Sequence, residues 1–306
     1  MFDVISIGAA IVDIFVKSDE FILDNNLLSL EASSKNEITQ SLITSGGGAT
    51  NSTVSFSRLG LKSIPVSLIG TDHLNPFITD DLKTNKISPN LLIKDSTNPT
   101  DFSVILVAPD GSRSVLTNRG NSRLEEAQIN WTKLTKTKWF YITSLEGNLD
   151  LLEKLIGFAK ENNIKIALNP GNRELAKPKK IIPLLKFVDF LLLNKTEGEM
   201  LTELDFDDDK FWPKILSYGS QITAITDSRN GAYVITPQSH LFSPIVKVKP
   251  VDETGAGDAF GSAFVAALIH KLDSQEALFW GIKNSASVVT KLGAKSGLLT
   301  LKLIKK

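Results

Sequence analysis

Residues 248–268 read Val-Lys-Pro-Val-Asp-Glu-Thr-Gly-Ala-Gly-Asp-Ala-Phe-Gly-Ser-Ala-Phe-Val-Ala-Ala-Leu, and the fold prediction starts from them. Before this stretch, residues 245–248 predict the end of a short apolar strand, which Pro250 stops. After it, small and apolar residues recur at the spacing of a buried helix: Ala259, Phe260, Ala263, Phe264, Ala267 and Leu268. The turn between strand and helix, residues 254–258, is small enough for a ligand to approach the backbone.

The start of this predicted helix suits an anion, because the first amides of a helix lack helical partners and carry partial positive charge. We expect the amides of Gly255, Ala256 and Gly257 to stabilise the charge of a transferred phosphoryl group. Asp258 would then be the general base that takes the proton of an attacking hydroxyl. The helix start should keep Asp258 ionised and weakly basic, which a loose transition state tolerates. A plain helix cap fits the same residues equally well.

The composition limits the classes of function. The chain has 306 residues, 42% of them hydrophobic, which is enough for a substantial core. Its 34 basic and 34 acidic residues balance, so no net charge attracts nucleic acid or an anionic membrane. Cysteine is absent, which excludes disulfides, thiolate nucleophiles and cysteine-bound metal. Without a long apolar run or a convincing signal peptide, the sequence predicts a cytoplasmic protein.

Strand and helix patterns alternate regularly from Trp139 onward. The predicted strands are 139–143, 164–168, 188–193, 221–226 and a hairpin near 231–235 and 240–248. The predicted helices are 148–162, 174–186, 196–204, 256–272 and 274–291. Such alternation predicts an α/β fold with a mostly parallel central sheet, helices on both faces, and ligands at the carboxyl ends of the strands.

A second group of strand patterns has no neighbouring helices in the chain. These patterns are residues 11–16, 36–43, 102–107 and 113–118, and the last two flank a predicted Asp110-Gly111 hairpin turn. We expect them to form a small separate sheet, called the lid sheet below.

Two further motifs follow predicted strands. Asn194-Lys195-Thr196-Glu197 has the pattern of a helix capping box. Gly46-Gly47-Gly48-Ala49-Thr50-Asn51 is a glycine turn before a predicted helix, and no lysine follows in the way a P-loop requires.

The Asp252–Asp258 segment resembles the C-terminal signature of the PfkB (ribokinase-like) family of carbohydrate and nucleoside kinases. Residues 194–197 are similar to the family's Asn-x-x-Glu motif, and residues 46–51 to its N-terminal Gly-Gly signature. The resemblance extends from Asp13 to Asn284. It implies one ribokinase-like kinase domain over residues 1–306, with lid strands inserted at about 11–16, 36–43 and 100–119.

The resemblance also implies ligands and the residues that bind them. ATP is the expected co-substrate and Mg²⁺ the expected metal. The sugar is expected at Asp13, Gly46, Gly47, Asn51 and Glu146. Mg²⁺ is expected through water at Asn194 and Glu197, and the nucleotide at Asn194, Thr226, Gly231 and Asn284. Asp252 and Thr254, with Gly293 and Ser296, are the expected site of the monovalent cation, K⁺, that some members bind.

Departures from the family pattern concern the choice of substrate. Ile11 stands where ribokinase has a sugar-binding Asn, and Gly48 replaces its Lys, which favours a relative over an authentic ribokinase. Ser228 replaces the first glycine of the family's Thr-x-Gly-x-x-Gly turn, a change that bears on the local backbone. Arg119 fits either a substrate phosphate or carboxylate or a salt bridge within the lid.

The expected function is therefore ATP-dependent phosphorylation of a hydroxymethyl group of a small sugar. A nucleoside kinase of the same fold is the main alternative, followed by a sugar-acid or sugar-phosphate kinase and by a non-catalytic sugar-binding protein. The alternating lid strands predict an apolar face formed by Ile11, Phe15, Phe102, Val104 and Leu106. Because such a face usually meets a partner, a homodimer through the lid is expected.

Overall fold

The computed structural model of the protein describes residues 1–24, 27–109, 113–119 and 123–306. The predicted hairpin turn at Asp110–Ser112 lies outside the described residues. The strands are β1 (Phe2–Ile7), β2 (Ile11–Lys17), β3 (Ile22–Asp24), β4 (Leu27–Ser29), β5 (Gln40–Gly46), β6 (Ser63–Gly70), β7 (Leu92–Asp95), β8 (Phe102–Val107), β9 (Arg113–Asn118), β10 (Thr137–Ile142), β11 (Lys165–Leu168), β12 (Phe190–Asn194), β13 (Ile222–Thr226), β14 (Ala232–Thr236) and β15 (Ser239–Ser243).

The helices are α1 (Gly48–Arg58), α2 (Asn75–Thr84), α3 (Trp131–Leu134), α4 (Leu149–Glu161), α5 (Asn172–Leu175), α6 (Pro178–Leu185), α7 (Lys195–Thr202), α8 (Phe211–Ser217), α9 (Ala256–Ile269), α10 (Ser274–Val288) and α11 (Leu301–Ile304). In the described part of the chain, no helix has the length and apolar character that crossing a membrane requires.

Nine of the described strands form one large sheet in the order β15-β14-β13-β12-β11-β10-β1-β6-β7. Within this order, the seven strands β13, β12, β11, β10, β1, β6 and β7 pair in parallel with their neighbours. Strands β14 and β15 add an antiparallel edge. The predicted α/β architecture with a mostly parallel sheet is therefore confirmed.

Both faces of the large sheet are covered, as the composition of β10 shows. Phe140 and Ile142 point into one apolar cluster, whereas Trp139 and Tyr141 point into the other. Because successive side chains of a strand point to opposite faces, a strand buried on both sides must be apolar throughout.

Helix α9 lies against the second face of the large sheet, and glycines let it pack closely. A Cβ at Gly261 would lie 2.2 Å from the Tyr141 hydroxyl oxygen, and one at Gly281 would lie 2.8 Å from the ring of Phe260. Phe264 stacks on Phe190 of the sheet with ring centroids 4.5 Å apart. This packing fixes the position of the α9 N-terminus.

The lid sheet is present as a separate four-stranded sheet in the order β5-β2-β8-β9 among the described residues. Strand β2 pairs antiparallel with β5 and parallel with β8, and β8 pairs antiparallel with β9. The strand predicted at 36–43 instead spans Gln40–Gly46, because β5 pairs with β2 along its whole length, from Lys17 opposite Gln40 to Ile11 opposite Gly46.

The predicted apolar face of the lid sheet is partly wrong. Phe15 lies in a row with Leu42 and Ile105 on the opposite face from Val104, and its side chain is buried. Ile11 shares the Phe15 face by alternation. The reason is the pairing register, which puts Ile14 rather than Phe15 beside Val104 and which the alternation of single strands does not reveal.

Three predicted boundaries also shift, two of them at prolines. The helix predicted at 174–186 is divided into α5 and α6, with Pro178 opening the second, because proline donates no amide hydrogen bond to a preceding turn. The strand predicted at 240–248 ends at Ser243, immediately before Pro244. Helix α9 ends at Ile269 rather than at residue 272, and Lys271 adopts a positive φ of 69°.

Candidate active site

The turn before α9 has the geometry that its glycine requires. Gly255 caps the helix with φ 79°, and a Cβ there would lie 2.5 Å from the Cβ of Ala294. The amides of residues 255–257 stand at the start of a helix of 14 residues, where partial positive charge is concentrated. The Ala256 amide also donates a long hydrogen bond, 3.3 Å, to the carbonyl of Glu253.

Asp258 lies in the first turn of α9 and is half-buried. Its Oδ2 accepts a hydrogen bond of 2.9 Å from Nδ2 of Asn51 on α1. Burial raises the pKa of Asp258, while the Asn51 hydrogen bond and the charge of Lys295 oppose that shift. The raised pKa differs from the expectation that the helix start keeps Asp258 ionised and weakly basic. Removal of the carboxylate from water raises its pKa more than the partial positive charge of the helix start lowers it. A raised pKa makes Asp258 a better proton acceptor.

Lys295 was not found from the sequence. Its side chain is buried, and Nζ donates to the Ser45 carbonyl at 3.0 Å, to Thr50 Oγ1 at 2.9 Å and to Asp81 Oδ2 at 3.1 Å, as well as to Ser45 Oγ. Burial lowers the pKa of Lys295, and the carboxylates of Asp81, Asp13 and Asp258 raise it. Lys295 thus supplies a buried positive charge beside the glycine turn of residues 46–48.

Asp13 is buried on the lid strand β2. Glycine is needed opposite it, since a Cβ at Gly46 would lie 1.9 Å from Asp13 Oδ2. Burial raises the pKa of Asp13 to about 6, with Lys295 lowering it and the charges of Asp252 and Asp258 adding to the rise. Gly47, the next residue, has φ 91° and approaches the carbonyl of Ala9, so the turn passes close to β2.

Asn51 carries an unused acceptor. It is 4% exposed, and among the described residues its Oδ1 has no hydrogen-bond partner. A buried polar atom without a partner is uncommon in proteins and suits a ligand that supplies the donor. Its amide nitrogen is held by Asp258, so Oδ1 is the atom available to a hydroxyl group.

A cavity of about 610 Å³ lies at the α9 N-terminus. Its lining includes Asn194, Thr226 and Gly231, with Ala256 and Gly257 at one wall. Apolar side chains complete it: Ile245, Val246, Val248, Phe260, Ile282 and Val289. An apolar cavity with a few polar groups and a helix N-terminus fits a nucleotide.

Asn284, predicted to contact the nucleotide, does not line this cavity. Its side chain is fully buried, Nδ2 donates to Ser55 Oγ and to the Ala259 carbonyl, and Oδ1 accepts from the Leu299 amide. It therefore joins α10 to α1 and α9. The adjacent residue Ser285 lines the cavity instead, because neighbouring residues of a helix point about 100° apart.

The expected metal and nucleotide residues lie at the ends of neighbouring strands β12 and β13. Asn194 and Glu197 form a capping box, in which each side chain accepts the other's amide at 2.9 and 2.8 Å. An amide oxygen and a carboxylate at the edge of the cavity fit a hard cation held through water. Ser228, which replaces the family glycine, adopts φ 46°, so the turn forms with a serine in a left-handed conformation.

Asp252 is engaged by hydrogen-bond donors of the chain itself. Its Oδ1 accepts from Arg113 Nη1 at 2.7 Å and from the amide and hydroxyl of Thr254, and its Oδ2 accepts from the Gly293 amide at 2.9 Å. The expected K⁺ site does not fit this arrangement, since a guanidinium and three other donors occupy the carboxylate.

The structure brings Arg119 and Glu146 together. Arg119 Nη1 lies 2.6 Å from both carboxylate oxygens of Glu146, and Arg173 Nη1 lies 3.1 Å from Oε2. Arg119 thus takes part in a salt bridge of the kind that the sequence left open.

The chain is similar to known proteins over nearly its whole length. A model of the pfkB family carbohydrate kinases matches residues 1–301. The chain belongs to this family.

One relative and two solved structures are similar to this chain. A curated ribokinase of Haemophilus influenzae is 30% identical over 261 residues, which cover 83% of this chain and 84% of the relative. The nucleoside kinase of Methanocaldococcus jannaschii has a similar fold, with a TM-score of 0.79 at 21% identity over 100% of this chain and 97% of that one. An Arabidopsis thaliana ribokinase solved with ribose and ATP has a TM-score of 0.79 at 16% identity, over 99% and 97%.

The raised pKa values predict how activity depends on pH. As the pH falls through about 6, Asp13 gains a proton. Protonation of Asp258, whose pKa burial also raises, removes its capacity as a base. We expect kcat/KM for phosphoryl transfer to be level above about pH 7 and to decline below about pH 6. A pH–rate profile at constant ionic strength measures this, with circular dichroism to show that the protein stays folded. A rate unchanged down to about pH 5 would contradict the assignment.

Proposed function

We propose that this kinase transfers the γ-phosphoryl group of ATP to a hydroxymethyl group of a small sugar. One observation carries the proposal: Asp258, a carboxylate with a raised pKa, accepts a hydrogen bond from Asn51 and directly follows Gly257, which lines the cavity at the α9 N-terminus. A proton acceptor between a hydroxyl-binding group and an anion-binding helix start is the arrangement that phosphoryl transfer to an alcohol needs.

In the proposed reaction, the hydroxyl oxygen of the sugar forms a bond to the γ-phosphorus while Asp258 accepts the proton of that hydroxyl. The bond between that phosphorus and the β,γ-bridging oxygen breaks, and ADP leaves with the electron pair. The amides of residues 255–257 stabilise the charge on the transferred group. Asn194 and Glu197 would hold Mg²⁺ through water, and the ion would supply positive charge that offsets the phosphate charge.

The acceptor is proposed to be an uncharged sugar. Asp13 and the free Oδ1 of Asn51 accept hydrogen bonds from vicinal hydroxyls. Arg119, the residue that would favour an acidic sugar, is paired with Glu146. This pairing weighs against sugar acids and sugar phosphates, and a catalytic base beside an anion site weighs against a non-catalytic sugar-binding protein.

A nucleoside acceptor is the second candidate, supported by the similar fold of the Methanocaldococcus jannaschii nucleoside kinase. Nucleosides present the same ribose hydroxyls, and Ile11 in place of a polar residue is compatible with an apolar base.

A substrate panel separates these candidates. With ATP and Mg²⁺, we expect ADP release to follow the addition of a free pentose or hexose and not of adenosine, cytidine or inosine, because the described site offers hydroxyl acceptors rather than an aromatic slot. Gluconate and ribose 5-phosphate test the charged alternatives. If ADP were released with a nucleoside and with none of the free sugars, the acceptor would be a nucleoside rather than a sugar.

The Asp258→Asn variant tests the base. We expect it to fold and to bind nucleotide as the wild type does, because asparagine keeps the shape, while kcat falls at least about 100-fold. Coupled ADP release measures kcat, and calorimetry measures nucleotide binding. Asp80→Asn is the matched control, since Asp80 is exposed on α2 and pairs only with Lys83 among the described residues. If Asp258→Asn retained more than about a hundredth of the wild-type rate, Asp258 would not be the base.

We also propose a homodimer through the outer face of the lid sheet. The residues Ile43, Ile14, Val104 and Leu116 form one row across its four strands, and Ile43 and Leu116 at the two ends are 44% and 58% exposed. Twofold pairing of identical faces would bury the row in both subunits.

Residence in the cytoplasm remains a prediction from sequence.

Neighbouring residues of β9 test the dimer. Leu116→Asp places a charge in the proposed interface, and Val115→Asp places the same charge on the opposite face, at a residue that is also exposed. We expect wild type and Val115→Asp to sediment as dimers at micromolar concentration and Leu116→Asp as a monomer, because a buried unpaired charge strongly disfavours association. A monomeric wild type would contradict the proposal.

A further inference from the structure

Arg113 connects the lid sheet to the nucleotide cavity. It is the first residue of β9 and pairs with Val107 in the lid. Its guanidinium nevertheless lines the cavity of about 610 Å³ together with Ala256 and Gly257. A side chain from the lid therefore stands beside the helix start where the phosphates of ATP are proposed to lie.

Within the described residues, a hydrogen bond to Asp252 holds the guanidinium there. Arg113 Nη1 donates to Asp252 Oδ1 at 2.7 Å, and the side chains are 30% and 4% exposed. A guanidinium has five N–H donors in a planar fork that matches two oxygens of a phosphate. The bond to Asp252 engages Nη1, which leaves the fork able to serve a second anion.

Asp252 does not depend on Arg113 alone. Its carboxylate also accepts from the Thr254 amide at 3.0 Å, from the Thr254 hydroxyl at 2.6 Å and from the Gly293 amide at 2.9 Å. These three donors would still satisfy the carboxylate if the guanidinium turned away. Because these three hydrogen bonds remain, Asp252 keeps hydrogen-bond partners when Arg113 turns to a more highly charged anion.

The other cationic side chains that line the cavity, within the described residues, each have a partner other than Asp252. Arg229 is 76% exposed and lies 3.4 Å from Glu253. Lys195 places its ammonium 5.0 Å from the centre of the Phe206 ring.

We propose that Arg113 binds the transferring phosphoryl group. In the absence of nucleotide it pairs with Asp252, and with ATP bound its guanidinium contacts the γ-phosphoryl oxygens opposite the amides of residues 255–257. This inference rests on the proposed function and adds to it a residue from the lid. Because β8 joins the Arg113 strand to the strand of Asp13, one sheet would contact both the sugar and the phosphate.

A series of nucleotides with different phosphate numbers tests this role. AMP, ADP and the non-hydrolysable analogue AMP-PNP, each with Mg²⁺, are titrated calorimetrically into wild type, Arg113→Met and Arg113→Lys. We expect Arg113→Met to weaken AMP-PNP binding about 10- to 100-fold, ADP binding less, and AMP binding not at all, because the lost contact is to the γ-phosphate. The AMP-PNP affinity of Arg113→Lys should lie between those of wild type and Arg113→Met, since lysine keeps the positive charge but lacks the planar fork of donors.

Turnover gives a second readout. For Arg113→Met we expect kcat to fall about 10²- to 10³-fold with the KM for the sugar unchanged within about twofold. Arg123→Met is the matched control, because Arg123 is 46% exposed and pairs with Glu125 away from the cavity. It should leave binding and turnover within about twofold of wild type.

A structural role alone gives a different pattern. If Arg113→Met bound AMP, ADP and AMP-PNP more weakly by the same factor, or bound all three as wild type does, the proposal would be overturned. Arg113 would then only join the lid to Asp252. Should Arg113→Met fail to fold, the affinities of Arg113→Lys for AMP, ADP and AMP-PNP are measured instead. The proposal then again requires the largest loss of affinity for AMP-PNP. The proposed function fails separately, when wild type binds AMP-PNP but transfers phosphate to no acceptor.

Discussion

The burial of three carboxylates in one small region is the constraint on which this site depends. Asp252 and Asp258 both raise the pKa of Asp13, so each of them repels the Asp13 carboxylate. A buried charge without a partner costs several kcal/mol, and breaking a buried pair costs about 3–5 kcal/mol. Lys295, which is buried nearby, and Arg113, which is bonded to Asp252, supply the opposite charges. The carboxylates can therefore stay in position for chemistry.

Glycines let these charged elements meet. At Gly46 and Gly255 a Cβ would lie 1.9 Å from Asp13 and 2.5 Å from Ala294, so each turn requires the smallest residue. The first contact brings β5 against β2, and the second brings the start of α9 against the loop that carries Lys295. The acceptor-binding, anion-binding and charge-neutralising groups are thus joined through backbone approach rather than through long side chains.

The sequence was informative where a signal is local. Alternating strands and helices predicted the large sheet, and residues 252–258 carried both the glycine turn and Asp258. Local pattern failed where pairing decides the outcome: the register of β2 with β8 placed Phe15 on the buried face, and helical phase turned Asn284 into the core. Arg113 finds its carboxylate partner 139 positions away, a separation that no local pattern reports.

In the proposed reaction, the choice between a sugar and water as acceptor cannot come from the base, because Asp258 would accept a proton from either. It must come from positioning. Asp13 and Oδ1 of Asn51 would hold the vicinal hydroxyls of a sugar and so fix the distance of its reacting hydroxyl from the phosphorus, whereas a water molecule has no second anchor. Fixing a reacting group can be worth about 7–11 kcal/mol in well-oriented systems, far more than a change in base strength provides. The buried acceptors on the sugar side therefore control hydrolysis more than Asp258 does.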